Sequence, residues 1–256
     1  MIKKEYPILE FDGVSENYVP IKKNITNSIL PECCVLAFFG DAVKELVAQQ
    51  NCEVIGELKL ETFVLPIYAI RGENGKTVAL LHAFGSGPYA AGQLEKLIAM
   101  GCKKFIVCGG CGALLPDMRC GDLLIPTSAV RDEGTSYHYV APAREIQMRA
   151  DVKTKVCQFL DERNMPYKCV KTWTTDAMYR ETVDMIALRR QEGCGVVEME
   201  CASFYAVAQY KQVPLGVLLY AGDDLSNKTW DSREWKNAKN IRLYLLKLAV
   251  EICKNI

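Results

Sequence analysis

An alternation of short apolar segments with longer amphipathic ones, from residue 34 onward, restricts the fold more than any other feature. The short segments are rich in Val, Ile and Leu, and the longer ones repeat apolar residues at helical spacing. Continuous apolar strands are typical of a sheet covered by helices on both faces. The predicted strands are residues 34–39, 62–70, 76–84, 103–110, 122–130, 168–174, 195–199 and 214–222, and the predicted helices are residues 41–50, 88–100, 145–163, 181–192, 200–211 and 232–254.

This pattern predicts an α/β fold, a three-layer α/β/α sandwich around a central mixed sheet. The short connection between Ile70 and Lys76 is typical of a hairpin, so the sheet is not expected to be purely parallel. No Pro- or Ser-rich linker, charge block or repeat divides the sequence. We therefore expect residues 1–256 to form a single domain, with the polar residues 1–30 as an N-terminal arm.

Charge and hydropathy exclude several classes of protein. The 31 Lys and Arg residues are balanced by 31 Asp and Glu residues, whereas nucleic-acid binders normally carry a basic excess. The sequence shows neither the apolar run of a signal peptide nor the roughly 18 apolar residues of a membrane span. We expect a cytoplasmic protein without nucleic-acid or membrane partners, in which the 12 cysteines stay reduced.

Four cysteines that lie close together in sequence raise the question of a metal site. Cys108 and Cys111 form a C-x-x-C pair, and Cys102 and Cys120 flank it. Zinc sites use regular ligand spacings, which this group lacks. Buried thiols also pack as small apolar side chains. We therefore expect packing rather than metal binding.

Three loops rich in small residues follow predicted strands, where α/β sheets bind their ligands. They contain Gly40, then Gly85 and Ser86, and then Gly109 and Gly110. The Gly85 loop opens a helix, so its backbone N–H groups can receive an anion. Each loop taken alone is equally consistent with a tight structural turn.

Carboxylates stand at two further strand ends. Glu198 and Glu200 flank Met199 where a strand becomes a helix, and residues two apart share a face of an extended chain, so both can line one cleft. Acids in the first turn of a helix are also stabilised by its dipole, which is the structural alternative. Asp223 and Asp224 follow an apolar strand directly, a position suited to an acid catalyst and also to a turn cap.

The order of these segments resembles one known family. Phe39-Gly40-Asp41 is followed by GSGPYAAGQLEKLIAMGCKKFIVCGGCGALLPDMRCGDLLIP, TTDAMY, VVEMECASFYAVA and AGDD. Together they are similar to the trimeric/hexameric nucleoside phosphorylase superfamily, which holds purine nucleoside and uridine phosphorylases and the methylthioadenosine-type nucleosidases. The resemblance runs from about residue 34 to the C-terminal helix. It implies cleavage of an N-glycosidic bond, with phosphate or water attacking an oxocarbenium-like sugar.

The resemblance also implies roles for individual residues. Asp223 corresponds to the acid that protonates a purine as it leaves, and Arg233 to an arginine that assists the acid. Glu200 corresponds to the residue that hydrogen-bonds the ribose hydroxyls, with Met199 packing on the sugar. Glu198 belongs to the same V-E-M-E segment and is expected to line the substrate cleft.

Three aromatic or imidazole side chains are further substrate-binding candidates. Trp173 stands near the place where the family has an aromatic residue against the base, and stacking on an indole is physically apt. A buried core tryptophan is the alternative. Tyr179 follows in the matching pattern, and His138 lies in a loop that is near the site in family members.

The expected phosphate site departs from the family pattern. Lys44 stands where the motif has an arginine, while Val107 and Gly110 replace a second arginine and a hydroxyl residue. A phosphate dianion depends on charge-assisted hydrogen bonds, and guanidinium groups supply them in bidentate form. The phosphate-binding candidates that remain are Gly40, Lys44, Gly85, Ser86, Gly109 and Gly110.

Three functions stay open at this point. The leading interpretation is a purine nucleoside phosphorylase-like glycosyltransferase, with phosphate as co-substrate and no cofactor. The second is a nucleosidase that uses water, since the expected arginines are missing. The third is a nucleoside-binding protein without catalysis. The resemblance also implies a homo-oligomer (dimer, trimer or hexamer), because the family builds its sites from two subunits.

Overall fold

The structure, a computed structural model, describes residues 3–14, 18–21, 30–60, 63–71 and 75–256. The strands in these ranges form one mixed sheet. They are β1 (Cys33–Ala37), β2 (Val54–Lys59), β3 (Val64–Arg71), β4 (Thr77–His82), β5 (Lys104–Ala113), β6 (Leu123–Asp132), β7 (Glu145–Gln147), β8 (Lys168–Thr175), β9 (Cys194–Glu198) and β10 (Leu215–Asp224). Their order is β10-β6-β8-β9-β5-β1-β4-β3-β2, and β7 pairs with β6.

Helices cover the sheet on both faces. They are α1 (Gly40–Gln50), α2 (Gly87–Ala99), α3 (Ala150–Asp161), α4 (Val183–Gln191), α5 (Cys201–Tyr210) and α6 (Lys239–Cys253). Helices α1 and α6 pack together, and α6 lies on β1 and β5, whereas α2 packs on α5, which lies on β6 and β10. Helix α5 is apolar over most of its surface and is buried from Cys201 to Ala208. This arrangement confirms the predicted three-layer fold with a mixed sheet.

Strand β5 has the position that matters most for the site. It pairs in parallel with both β1 and β10, and its far end pairs antiparallel with β9. Because β1, β5 and β10 run in the same direction, their carboxyl ends lie at one edge of the sheet. Strands β5, β10, β6, β8 and β9 also pair in a closed ring, since β10 contacts both β5 and β6. The ends of β9 and β10 are thereby brought beside the end of β5.

Several boundaries differ from the sequence-based prediction. The short strands β2 and β7 were not predicted, and residues 145–147 pair with β6 instead of opening the helix predicted over residues 145–163. The helix predicted from residue 232 begins at Lys239, because Arg233 and Glu234 have left-handed backbone angles, with φ of 46° and 49°. The hairpin between β3 and β4 is confirmed, although residues 72–74 of its turn lie outside the described residues.

The predicted N-terminal arm is only partly described. Residues 3–14 and 18–21 are included and contain a 3-10 turn at Pro7–Leu9, and the rest of residues 1–29 lies outside the described residues. All 12 cysteines of the chain are free thiols. Within the described ranges, no three His, Cys, Asp or Glu side chains are grouped so as to hold a metal ion. In the same part of the chain, no helix combines the length and apolar character needed to cross a membrane.

Candidate active site

A cavity of about 540 Å³ opens at the edge of the sheet where β1, β5, β9 and β10 end. Seven residues expected from the sequence to act in catalysis or to bind substrate or phosphate line it, and they come from four different strand ends. They are Gly40, Gly109, Gly110, Glu198, Met199, Glu200 and Asp223. Further lining residues were not predicted as site residues, notably Asp41, Met178, Glu181, Tyr220 and Arg242.

Glu198 lines the cavity, but its carboxylate is occupied by the protein. One oxygen accepts hydrogen bonds from the hydroxyls of Thr172 (3.1 Å) and Thr174 (2.6 Å). The other accepts from the backbone N–H groups of Glu200 (2.7 Å) and Cys201 (2.6 Å). Burial raises the pKa of Glu198, and these four donors oppose that rise. The expectation that Glu198 binds substrate is therefore corrected: it ties the end of β9 to the first turn of α5.

Met199 and Glu200 are held in place by this tie. The Glu200 side chain is half-buried, and burial, together with the neighbouring carboxylate of Glu198, raises its pKa well above the usual range. A side chain at Gly85 would come to 4.0 Å from Oε1 of Glu200, so the Gly85 loop passes directly over this carboxyl. Met199 places its thioether side chain against the same cavity. The pair offers one hydrogen-bonding and one apolar surface side by side.

Asp223 faces this pair from the end of β10. Its Oδ2 accepts a hydrogen bond of 2.7 Å from the indole N–H of Trp230. Opposite Oδ1 lies Gly112 of β5, where an added Cβ would stand 3.5 Å from that oxygen and only 2.5 Å from Leu225. Glycine at position 112 therefore lets β5 approach the acid closely. The result is a half-buried carboxyl that opens into the cavity.

Arg233 does not assist Asp223, contrary to the expectation from sequence. Its guanidinium forms an ion pair with the adjacent acid, Asp224, and donates to the carbonyl oxygen of Met118 (2.8 Å). Asp224 is buried and also accepts a hydrogen bond of 2.8 Å from the backbone N–H of Ser226. The second acid of the Asp-Asp pair thus caps the turn after β10, and Arg233 stabilises that turn.

Glu181 is a second carboxyl in the cavity that sequence reasoning missed. It follows a 3-10 turn (Met178–Arg180), is half-buried, and faces the cavity beside Met178. Burial, and then the nearby charge of Asp223, raises the pKa of Glu181 to about 7. Only its place just beyond the TTDAMY segment connects it with the site in sequence. Its position in the sequence alone does not distinguish Glu181 from a glutamate that is exposed to solvent.

The three aromatic and imidazole candidates lie away from the cavity. Trp173 is 1% exposed and donates its indole N–H to Asp132 (2.9 Å), because successive residues of β8 point to opposite faces and Thr172 and Thr174 take the face toward Glu198. Tyr179 is 94% exposed, and His138 is exposed on a 3-10 turn. None of the three lines the cavity. The structure therefore supports the alternative of a core tryptophan.

The loops expected to hold phosphate are brought together only in part. Gly40, Gly109 and Gly110 line the cavity, whereas Lys44 is exposed on α1. Gly85 lies beside Glu200, and neither Gly85 nor Ser86 lines the cavity. A side chain at Gly110 would meet the ring of Tyr220 at 3.2 Å. Because position 110 is a glycine and not a residue with a hydroxyl side chain, there is room here for the ring of Tyr220 from β10.

A buried arginine that the sequence did not single out stands at this end of the cavity. Arg242 projects from α6, its side chain is 8% exposed, and it forms an ion pair with Asp41. It also hydrogen-bonds Tyr220, and this contact moderates the rise that burial causes in the pKa of the Tyr220 phenol. A cation, a carboxylate and a phenol therefore surround the space next to Gly40 and Gly110.

Residues 32–249 match the sequence model of the phosphorylase superfamily. The chain belongs to the phosphorylase superfamily. This assignment agrees with the resemblance drawn from the sequence segments, and the superfamily model covers every residue that lines the cavity.

Relatives within the superfamily have several activities. Guanosine phosphorylase from Halorubrum lacusprofundi is 29% identical over 131 residues, which are 51% of this chain and 54% of that relative. The chain thus matches about half of that protein's length. A DeoD-type purine nucleoside phosphorylase from Caldanaerobacter subterraneus subsp. tengcongensis is 25% identical, over 83% of this chain and 91% of its own length.

Solved structures show the same fold. Uridine phosphorylase from Vibrio fischeri superimposes with a TM-score of 0.71 at 17% identity, covering 88% of this chain and 92% of that one. At this level of identity the likeness concerns the fold alone.

Proposed function

We propose that the protein cleaves the N-glycosidic bond of a purine nucleoside by phosphorolysis, releasing the base and a pentose 1-phosphate. The observation that carries the proposal is that Met199, Glu200 and Asp223 line one cavity although they come from two different strand ends. An enzyme of this kind needs a sugar-binding surface and an acid for the leaving base, placed close enough to contact the same bound nucleoside. The arrangement of Met199, Glu200 and Asp223 around one cavity supports both roles.

The chemistry assigned to each residue follows from charge. In the transition state the sugar becomes cationic and the base anionic, so groups that neutralise these charges stabilise it. Asp223 donates a proton to the purine N7 as the bond breaks, and the indole of Trp230, hydrogen-bonded to Oδ2, holds the carboxyl in one orientation. Glu200 binds the ribose hydroxyls, and Met199 packs against the apolar face of the sugar.

The nucleophile enters from the end of the cavity formed by Gly40, Gly109 and Gly110. Arg242 supports phosphate as the nucleophile, because it supplies a guanidinium where the family's two expected arginines are replaced by Lys44 and Val107. We assign no cofactor to this reaction.

A nucleosidase that uses water is the second candidate, and a specific observation favours it. The carboxylate of Asp41 already pairs with Arg242 and faces the cavity, so it reduces the positive charge available to a phosphate. The same carboxylate can accept a proton from an attacking water.

The deciding experiment follows base release from inosine, guanosine and adenosine by chromatography, with and without phosphate. Phosphate-dependent release with a sugar phosphate as product supports phosphorolysis, whereas phosphate-independent release of free ribose selects hydrolysis. Nucleoside binding in a calorimeter without turnover selects the third function, a non-catalytic binding protein. Folded protein that neither binds nor cleaves a nucleoside contradicts the proposal.

We also propose that the protein is a homo-oligomer. Large apolar side chains near the rim are exposed, including Tyr179 (94%), Val183 (76%) and Trp230 (64%). A second subunit covering them would remove this surface from water and enclose the substrate. Light scattering on the purified protein measures the number of subunits. The cytoplasmic location stays a prediction.

A further inference from the structure

Two cysteine side chains lie in contact outside the cavity. Cys157 is on α3 and Cys169 is on β8, and their Sγ atoms are 3.9 Å apart. Cys169 is exposed and Cys157 is half-buried, and neither of them lines the cavity. A contact of this length places each sulfur atom directly beside the other. The pair therefore stands apart from the residues of the proposed reaction.

The connection between α3 and β8 fixes this contact. Where α3 ends, the N–H of Met165 donates to the carbonyl oxygen of Leu160 (3.0 Å). The hydroxyl of Tyr167, one position before β8, donates to the carboxylate of Asp161 (3.1 Å) and is also hydrogen-bonded to Cys157. These bonds tie the end of the helix to the start of the strand. The two thiols are therefore held together by the fold, at positions 12 apart in sequence.

The geometry of the pair suits a disulfide. The two sulfur atoms of a disulfide are about 2 Å apart, so the thiols of Cys157 and Cys169 have about 2 Å left to close, a displacement that rotation about the Cα–Cβ bonds supplies. The exposed side of Cys169 admits a small molecule that carries an S–S bond. Thiol–disulfide exchange needs access for such a molecule and a second thiol in place to complete the reaction. This pair meets both requirements.

Cys33 is a second thiol in a reactive setting, and it lacks an accessible partner. Its hydrogen bond with Cys253, together with the nearby charge of Lys104, lowers the pKa of Cys33 to about 7, although burial opposes this. Cys253 is fully buried, and burial raises the pKa of its thiol well above the usual range. A small disulfide that reacts at Cys33 is therefore expected to remain attached there, because Cys253 does not supply a thiolate to displace it.

We propose that Cys157 and Cys169 are a redox modification site, which low-molecular-weight disulfides of the glutathione type convert into an intramolecular disulfide. The thiolate of Cys169, the more exposed of the two, attacks one sulfur of the small disulfide, whose S–S bond breaks and releases one thiolate. The thiolate of Cys157 then attacks Sγ of Cys169 in this mixed disulfide and displaces the second thiolate. The two cysteines lose two electrons to the small disulfide, and their two protons pass to the two released thiolates. This site does not depend on the proposed cleavage of a nucleoside.

The disulfide joins an outer helix to a strand of the sheet. It closes a loop over residues 157–169, which restricts the unfolded chain and so favours the folded protein. The two thiols are already in contact in the folded protein, so little strain opposes this gain. Oxidation is expected to raise the Tm by about 3–8 °C.

The test incubates the whole protein with glutathione disulfide at pH 8.5 and maps the cysteines by mass spectrometry after alkylation. Alkaline pH favours the thiolate of Cys169, since burial and the neighbouring Cys157 raise its pKa. The wild-type protein is expected to form the Cys157–Cys169 disulfide with a higher Tm, and dithiothreitol reverses both changes. In Cys157→Ser and in Cys169→Ser, the remaining thiol of the pair keeps glutathione attached, and the Tm does not rise.

Cys52→Ala is the matched control. Cys52 is a half-buried thiol whose Sγ contacts the side-chain oxygen of Gln50 at 3.9 Å. This variant is expected to form the disulfide and to gain the same Tm as the wild type. Thermal unfolding under reducing conditions identifies a variant that does not fold, and either serine variant alone is sufficient for the comparison.

Three results overturn the proposal. In the first, Cys157 and Cys169 of the wild type stay reduced or stop at mixed disulfides. In the second, a disulfide forms between Cys33 and Cys253 in their place. In the third, the Cys157–Cys169 disulfide forms and the Tm fails to rise, because the cross-link then forms only by disturbing the packing of α3 on the sheet.

Discussion

Substitutions at Glu198 test whether this residue ties β9 to α5 or binds substrate. In the structure its carboxylate accepts two backbone N–H groups at the start of α5 and two hydroxyls from β8. Glu198→Ala removes every acceptor, and the N–H groups of Glu200 and Cys201 lose their partner. Glu198→Gln keeps the shape of the side chain and the oxygen that faces these two N–H groups.

The magnitudes follow from the number of donors left unsatisfied. A buried donor without a partner costs about 1–3 kcal/mol, and the two threonine hydroxyls can rotate to other acceptors, so Glu198→Ala lowers the free energy of unfolding by about 2–6 kcal/mol. In Glu198→Gln the amide oxygen accepts from the N–H groups and the amide nitrogen donates to the hydroxyls. Since burial already disfavours the charged form and raises the pKa of Glu198, losing that charge costs at most about 1 kcal/mol.

The assay is denaturant unfolding of the two variants at pH 7.5 together with kcat/KM for the nucleoside that is cleaved best. Glu53→Ala, at an exposed position just before β2 that does not line the cavity, is the control for removing a glutamate. Glu198→Ala is expected to lose both stability and activity, and Glu198→Gln to keep activity within about tenfold, which corresponds to about 1.4 kcal/mol. If Glu198→Gln is folded and as inactive as Glu198→Ala, the carboxylate contacts substrate and the reasoning is refuted.

Three further outcomes are expected. Asp223→Asn lowers kcat about 10²- to 10⁴-fold with unchanged unfolding, because Trp230 can still donate to the amide oxygen; a normal kcat excludes Asp223 as the acid. Arg233→Ala lowers the free energy of unfolding by about 1–3 kcal/mol, since it leaves the buried Asp224 without its cation, and urea unfolding measures the loss. The kcat/KM for the nucleoside that is cleaved best changes with pH near 7, since Glu181, which lines the cavity, takes up a proton at a pKa of about 7; in Glu181→Gln this pH dependence should disappear.

The parts of the site that lie at strand ends could be predicted from the sequence. Asp223 and the Met199–Glu200 pair come directly after apolar strands, and the rule that ligands gather at the carboxyl ends of parallel strands holds for them. Glu198 was placed correctly in space and given the wrong role. Two of the donors to its carboxylate come from β8, and sequence spacing does not reveal that β8 is the neighbour of β9 in the sheet.

Other residues could not be assigned because their position depends on side-chain direction or tertiary packing. Trp173 lies on the strand expected, but the alternation of side chains along β8 directs it toward Asp132 and the core. Arg233 pairs with Asp224 because its own backbone turns through a left-handed conformation. Arg242 reaches the cavity only because α6 packs across β5, a contact between residues more than a hundred positions apart.

The central place of β5 has a consequence for how the protein reaches its active form. Strand β5 lies between β1 and β10, and its partner residues in β10, such as Leu219 opposite Gly109, come about 110 positions later in the chain. Contacts so distant in sequence form slowly, because closing the long intervening loop costs conformational entropy before the contacts can offset it. The cavity does not exist until β10 has joined the sheet and brought Asp223 with it. In refolding from denaturant, catalytic activity should therefore return with the last kinetic phase, after most of the helical signal has been recovered.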